Sequence, residues 1–143
     1  MYTKQVSVFL ENKKGRLAEV TGVLAAEGIN IRALSLADTA DFGVLRLIVD
    51  DPERCLRVLK ARDLAAQQTD MLAVEIDDEP GSLHRIVEAV GREGVSIEYM
   101  YAFFRKKGDN VIVVFRSDDA AQAAEALRKG GIPILPEAVV QNL

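Results

Sequence analysis

Two seven-residue stretches decide the fold, Glu11-Asn12-Lys13-Lys14-Gly15-Arg16-Leu17 and Asp77-Asp78-Glu79-Pro80-Gly81-Ser82-Leu83. Each follows alternating apolar residues and precedes apolar residues at helical spacing, so each indicates a loop between a strand and a helix. The glycines of the two stretches stand 66 residues apart, and the same distance separates Glu27-Gly28-Ile29-Asn30-Ile31 from Glu93-Gly94-Val95-Ser96-Ile97. A single distance shared by separate segments indicates an internal duplication.

The second half of each copy repeats at a slightly longer distance. Asp51 matches Asp119, 68 residues further along the chain. The two extra residues are placed in the turn 105–110, because an insertion at the tip of a hairpin disturbs little packing. The sequence therefore predicts a first domain over residues 1–70 and a second over residues 71–143.

Both copies contain the same order of elements. The first copy predicts strands over 6–10, 29–37, 44–50 and 65–69 and helices over 17–28 and 52–62. The second copy predicts strands over 71–77, 96–104, 110–116 and 132–135 and helices over 81–93 and 118–129. With right-handed crossovers, this order gives a four-stranded antiparallel sheet with two helices on one face. The predicted fold class is α+β, as two tandem ferredoxin-like βαββαβ units.

The middle strands of both copies are apolar on both faces. Residues 44–49 and 97–104 carry apolar side chains at nearly every position, which implies burial on both sides of the sheet. The faces or edges without helices are therefore expected to be covered, either by each other or by another chain. A homodimer is the expected state, because each copy is close to the smallest size that supports its own core.

The loop before the first helix of each copy is a candidate binding site. Its glycine allows a ligand to approach the backbone, and the start of the helix presents N–H groups that favour a carboxylate. Three residues before the glycine stand Asn12 in one copy and Asp78 in the other. Asp78 offers an acceptor for an ammonium group, and Asn12 offers both a donor and an acceptor. The alternative is a tight turn in which glycine serves only the backbone.

The loops, the segment that follows the first helix and the βαββαβ order resemble the ACT domain family. In that family the loop has the pattern Asp/Glu/Asn-x-Pro-Gly-x-Leu, and the second strand opens with Gly-hydrophobic-Asn-Ile. Each of the two copies resembles one ACT domain, so the resemblance covers the whole chain. It implies a regulatory unit that binds a free amino acid between ACT units and controls an enzyme of amino-acid metabolism.

The resemblance also implies which residues contact the amino acid. In serine-sensing and branched-chain-sensing members, the loop asparagine and the asparagine that opens the second strand contact the effector. These roles pass to Asn12 and Asn30, while the second copy has Asp78 and Ser96 at the two asparagine positions. Its site is expected either to bind another ligand or to be silent. The candidate ligand-binding residues are Asn12, Lys13, Gly15, Arg16, Leu17, Asn30, Asp78, Gly81, Ser82, Leu83 and Ser96.

Composition and charge weigh against several other functions. The net charge of −4 and the short basic run 105–107 give no basic face for nucleic acid. The stripe Tyr99, Tyr101 and Phe103 suggests a platform for stacked bases, but no partner strand carries the aromatic motif of RNA-recognition modules. The stripe is interpreted as packing or as a wall of a pocket or interface. The sequence predicts no membrane segment and no signal peptide, so a reducing cytoplasmic location is expected.

No catalytic group, metal or cofactor is expected. His84 lies on the outer face of a helix, and Cys55 is interpreted as inert packing. The acidic run 77–79 lacks the alternating spacing of a calcium loop. Two functions remain in competition: an amino-acid sensor that acts through contact with a partner enzyme, and a structural domain that assembles with an enzyme without binding a ligand.

Overall fold

A computed structural model describes residues 2–11, 13–38, 41–104 and 110–143. The chain divides into two compact units, the first over Lys4–Thr69 and the second over Asp70–Gln141, with the terminal residues Tyr2, Thr3 and Leu143 grouped with the second and Asn142 with the first. Throughout the described part, every helix is too short or too polar to reach across a lipid bilayer.

Six strands and five helices make up the described part of the chain. In order they are β1 (Thr3–Glu11), α1 (Arg16–Ala26), β2 (Ile31–Asp38), β3 (Phe42–Val49), α2 (Pro52–Ala61), β4 (Ala65–Asp77), α3 (Ser82–Arg92), β5 (Ile97–Phe104), β6 (Asn110–Ser117), α4 (Ala120–Lys129) and α5 (Glu137–Gln141). The strand order is β2-β3-β1-β4 in the first unit and β4-β6-β5 in the second. The α+β fold class of two tandem βαββαβ units is confirmed.

Each unit has its own core between the sheet and its helix pair. In the first unit, alternate β1 residues such as Val6 and Val8 pack against Leu24 of α1 and Leu59 of α2. In the second unit the corresponding cluster is built around Phe115, which is fully buried. The spacing of two on the strands and three to four on the helices places these apolar side chains on the shared face.

The prediction of a fourth strand in the second copy, over residues 132–135, is wrong. Only an isolated bridge joins Ile134 to Val74, with one hydrogen bond from the Leu135 amide to the Ala73 carbonyl (2.8 Å). Pro133 and Pro136 flank this contact. Because proline has no N–H to donate, a longer ladder cannot form at these positions. Ile132 and Ile134 still pack against the core of the unit.

The strands predicted over 65–69 and 71–77 are one continuous strand. β4 runs for 13 residues from Ala65 to Asp77. Its residues 65–69 belong to the first unit and its residues 70–77 belong to the second. No glycine or proline occurs between these residues, so nothing in the local sequence breaks the strand. The boundary expected between residues 70 and 71 therefore falls inside β4. The short helix α5 was not predicted.

The prediction that the middle strands are buried on both faces is confirmed for β3 and is wrong for residues 97–104. Leu47 and Ile48 are adjacent in β3, point to opposite faces and are both fully buried. In contrast, every residue of β5 is half-buried or exposed, and Phe104 is 72% exposed. The difference follows from strand order, since β5 lies at the edge of its sheet and β3 lies inside one.

Aspartate caps begin the second helix of each unit, and a glycine ends α1. The Asp51 side chain accepts a hydrogen bond from the Arg54 amide, and Asp119 does the same for Gln122. This confirms the helix start predicted from Asp51 and the following proline. At the end of α1, Gly28 has φ of 69° and the Ile29 amide donates to the Leu24 carbonyl (3.0 Å), which is the Schellman termination that favours glycine.

Candidate functional site

The two candidate loops have the same backbone conformation. Gly15 and Gly81 are the N-caps of α1 and α3, with φ of 84° and 92°. The helix starts predicted after these glycines are therefore confirmed. Neither glycine has a side chain to cap the first helical turn. The first amides, those of Arg16 and Ser82, donate to loop carbonyls, and the amides that follow them have no capping side chain. This left-handed conformation is strained for residues with a side chain, which explains glycine at both positions.

Equivalent hydrogen bonds hold both loops. The Lys13 amide donates to the Glu11 carbonyl (2.8 Å), and the Glu79 amide donates to the Asp77 carbonyl (2.9 Å). The next turn is closed by bonds of 3.3 Å in both units, to the carbonyls of Lys13 and Glu79. Lysine in place of the usual proline before Gly15 therefore leaves the loop unchanged. Asn12, the preferred contact in the first copy, lies outside the described residues.

Asn30 and Ser96 occupy equivalent positions at the entry to the second strand. The Asn30 amide donates to the Asp50 side chain (3.1 Å), and the Asp50 amide donates back to the Asn30 carbonyl (3.1 Å). Ser96 and Asp118 form the same two bonds, at 3.0 and 3.1 Å. We call this pair of hydrogen bonds the entry clasp. It uses only the backbone of residues 30 and 96, whose side chains are exposed.

The entry clasp and the loop lie at opposite ends of the first helix of their own unit. α1 and α3 each contain 11 residues, which corresponds to a length of about 16 Å. Within one unit, Asn30 is therefore too far from the Gly15 loop to contact the same amino acid. The same holds for Ser96 and the Gly81 loop.

A cavity of 240 Å³ adjoins the loop of the second unit. Asp77, Asp78 and Glu79 form its acidic rim, and Leu83 of α3 contributes to its wall. The remaining lining residues come from the strands and are mostly apolar: Ile76, Met100, Tyr101, Ala102, Val111 and Val113. Two predicted site residues, Asp78 and Leu83, thus line one cavity. Tyr101 of the aromatic stripe lines it as well.

A second cavity, also of 240 Å³, adjoins the loop of the first unit. Its lining combines apolar and charged side chains: Phe9, Leu10, Glu11, Arg16, Phe42, Asp63, Leu64 and Ala65. We call it the Asp63 cavity. Of the predicted site residues, only Arg16 lines it. Its wall from the turn between α2 and β4 was not predicted, because that turn is distant in sequence from the loop.

Ion pairs fix the charged side chains of the first loop. The Glu11 carboxylate lies 2.8 Å from Lys13 Nζ and 3.8 Å from Arg16 Nη2. The hydrogen bond from Lys13, followed by the charges of Lys13 and Arg16, lowers the pKa of Glu11 below its ordinary value. Arg16 also pairs with Glu19 at 3.0 Å. The guanidinium is thereby held at the cavity wall, with a side chain that is 37% exposed.

The remaining predicted loop residues differ in accessibility. Leu17 and Leu83 follow the loop glycines at equivalent positions and are 42% and 43% exposed. Ser82 is only 6% exposed, so its side chain offers little surface to a ligand. Leu17 and Leu83 are thus available for apolar contact.

His84 and Cys55, the residues considered for catalysis, lie in an exposed helix position and in the core, respectively. His84 is exposed, and its Nε2 lies 3.0 Å from Glu88, as expected for a solvated helix position. Cys55 is fully buried, and burial, followed by the charges of Asp50 and Asp51, raises its pKa to about 12. In the described ranges, no group of three or more histidine, cysteine or acidic side chains is arranged to hold a metal ion.

Comparison with protein families identifies the duplication. A family model described as an ACT domain pair matches residues 1–138. The chain belongs to the ACT domain pair family. A Bacteroides thetaiotaomicron protein of known structure supports the same organisation: it is 40% identical, covers 100% of this chain and 98% of its own, and superimposes with a TM-score of 0.93.

Two more distant solved structures share the fold alone. The regulatory subunit of aspartate kinase from Thermus thermophilus is 16% identical, with a TM-score of 0.63 over 91% of this chain and 93% of its own. The corresponding subunit from Thermus flavus is 18% identical, with a TM-score of 0.62 over 92% and 94%. No curated protein matches the sequence significantly.

Proposed function

We propose that this ACT domain pair is a regulatory protein that binds a free amino acid and thereby controls an enzyme of amino-acid metabolism. The observation that carries the proposal is the loop geometry, in which a glycine in the left-handed region opens a helix beside a cavity of 240 Å³. Both units of this ACT pair repeat that arrangement. Domain boundaries at 1–70 and 71–143, a cytoplasmic location and the absence of catalysis belong to the same proposal.

The chemistry of the loops suits a zwitterion. Uncapped amides at the start of α1 or α3 stabilise a carboxylate through hydrogen bonds and the helix dipole. Carboxylates at the rim, such as Asp78, stabilise an ammonium group. The cavities are smaller than those that enclose drug-sized ligands, which favours a single amino acid over a nucleotide.

Several predicted contacts depend on a second chain. Because Asn30 and Ser96 lie about 16 Å from the loops of their own units, they are proposed to contact an amino acid held by the other chain of a homodimer. An amino acid that binds one state of the dimer more tightly shifts the population toward that state. A partner enzyme that distinguishes the two states is then regulated by the concentration of the amino acid.

Thermal unfolding in the presence of each of the twenty amino acids tests the proposal. A ligand at 100 times its Kd stabilises the folded state by about 2.7 kcal/mol, which raises Tm by several degrees. The D-enantiomer of each responsive amino acid serves as the control for unspecific solute effects. Calorimetry with Asn12→Ala, Asn30→Ala and Asp78→Ala then assigns the copy, since loss in the first two variants alone places the site in the first copy.

A ligand-free assembly domain is the competing function. It predicts no change in Tm with any amino acid at millimolar concentration, and no calorimetric heat. That result would refute the sensor and leave the assembly role, in which the partner binds the protein equally well with and without amino acids.

A further inference from the structure

Asp63 has an unusual conformation at the end of α2. Its φ is 58°, and in the described part of the chain no other non-glycine residue has a positive φ. The turn is closed by hydrogen bonds from the Asp63 amide to Lys60 and from the Leu64 amide to Leu59, both 3.1 Å. Aspartate tolerates the left-handed region better than most residues but less well than glycine.

The second unit makes the same turn without a carboxylate. Gly131 stands 68 residues after Asp63, has φ of 71° and is followed by the equivalent bond from Ile132 to Leu127 (2.9 Å). The turn itself therefore does not require an aspartate. The carboxylate of Asp63 needs another explanation, and Asp63 lines the cavity beside the first loop.

Charged side chains of both signs line the Asp63 cavity, but only some of them form ion pairs. Glu11 is paired with Lys13 and Arg16, and Arg16 is held by Glu11 and Glu19. Among the described residues, Asp63 forms no ion pair within 4 Å. A cationic group in the cavity would therefore find its available carboxylate at Asp63.

Apolar side chains complete the Asp63 cavity. Phe9 and Phe42 are large residues that remain 40% and 54% exposed, and Leu10 and Leu64 contribute further apolar surface. Phe42 of β3 pairs with Glu11 of β1. Because Phe9 and Glu11 are two residues apart on β1, Phe9 and Phe42 lie on the same face of the sheet, on neighbouring strands. Exposed aromatic surface of this kind is stabilised when an apolar group covers it.

The equivalent place in the second unit is polar. Glu75 stands where the first unit has Phe9, and Asn110 stands where it has Phe42. Asn110 Nδ2 donates to Glu75 Oε1 at 3.4 Å, so the two side chains engage each other. Ser82 replaces Arg16 and Gly131 replaces Asp63. All four differences remove features of the Asp63 cavity.

We propose that the Asp63 cavity selects an α-amino acid with an apolar side chain. Asp63 binds the α-ammonium group. The amides at the start of α1, with Arg16 beside them, bind the carboxylate, and Phe9 and Phe42 cover the side chain. The second unit does not bind this ligand. The proposal rests on the proposed function, because it names the ligand class and the subsite for the same amino-acid response.

Calorimetry with leucine, methionine and phenylalanine tests the assignment, with aspartate and lysine as poorly matched amino acids. Asp63→Asn keeps the size of the side chain and tolerates the left-handed turn, but removes the charge. We expect it to weaken binding of the responsive amino acid roughly 10- to 100-fold, as for a lost charge-assisted hydrogen bond. Asp63→Gly should weaken binding equally while Tm stays the same or rises, because glycine relieves the strain.

Two controls separate recognition from folding. Gly131→Asp introduces the same strained residue into the second unit, so we expect a lower Tm and an unchanged Kd. The des-amino analogue of the responsive amino acid lacks the group that Asp63 binds. It should bind weakly to the wild-type protein and equally weakly to Asp63→Asn, because the variant has nothing further to lose.

The possible failures are distinguishable. If an apolar amino acid binds the wild-type protein and Asp63→Asn binds it with the same Kd, the Asp63 subsite is wrong while the proposed function stands. If only aspartate or lysine binds, the predicted ligand class is wrong. If no amino acid binds the wild-type protein, both proposals are overturned.

Discussion

Alanine at Gly15 and at Gly22 should change stability in opposite directions. Gly15 is the N-cap of α1, and Gly22 lies within the same helix. An added Cβ at either position meets no atom within 4 Å. Steric overlap therefore does not contribute to the difference in stability between the two alanine variants. Gly15 has φ of 84°, whereas Gly22 lies in the exposed middle of α1 with ordinary helical geometry. Backbone conformation alone sets the difference.

The magnitudes follow from the two conformations. An L-residue in the left-handed region costs about 1–2 kcal/mol, and the stiffer unfolded chain returns about 0.4–1 kcal/mol. Gly15→Ala should therefore lower the free energy of unfolding by up to about 1.6 kcal/mol. Gly22→Ala should raise it by about 0.5–1 kcal/mol, because alanine is the better helix former. Gly81→Ala and Gly91→Ala should repeat both signs in the second unit.

Urea unfolding measures the effect directly. The two variants should differ by roughly 0.5–2.6 kcal/mol, so with a slope of about 2 kcal/mol per molar their urea midpoints should differ by about 0.3–1.3 M. Gly15→Asn is the matched control, since asparagine tolerates positive φ and should destabilise less than alanine. Equal stabilisation by alanine at both glycines would contradict the left-handed N-cap, and with it the open amides of the candidate site.

Two further predictions concern Cys55 and assembly. Because burial raises the pKa of Cys55 from 9.0 to about 12, the native thiol should react with Ellman's reagent only as fast as the protein unfolds; rapid reaction without denaturant would contradict its burial. The raised pKa stabilises the fold below pH 9, and this contribution should be lost as pH rises from 9 toward 12. Sedimentation equilibrium at micromolar concentration should give a homodimer, and a 15.7 kDa species would refute this.

Features set by adjacent residues were predictable from the sequence. The duplication, the helix starts after Gly15 and Gly81, and the Asp51 cap all depend on short motifs whose conformations glycine, aspartate and proline determine locally. The missing fourth strand also has a local cause. Pro133 and Pro136 flank it, and neither has an N–H to donate to a hydrogen-bond ladder.

Features set by distant residues were not predictable. The exposure of β5 depends on its place at the sheet edge, which no pattern within 97–104 contains. The Asp63 cavity brings together residues from β1, β3 and the turn after α2. One signal for it was present, because the repeat aligns Asp63 with Gly131, and a residue other than glycine at an aligned turn position indicates a role outside the turn.

The entry clasp leaves residues 30 and 96 unusually free to change. Asn30 and Ser96 are bound through backbone atoms alone, to Asp50 and Asp118, and their side chains are exposed. A mutation at either position therefore alters the surface while every clasp hydrogen bond persists. After a gene duplication, such a position can drift toward a new specificity without a transitional loss of folding. Asn30 and Ser96 already differ within one chain, so the two units of a single polypeptide present different surfaces at this position on one architecture.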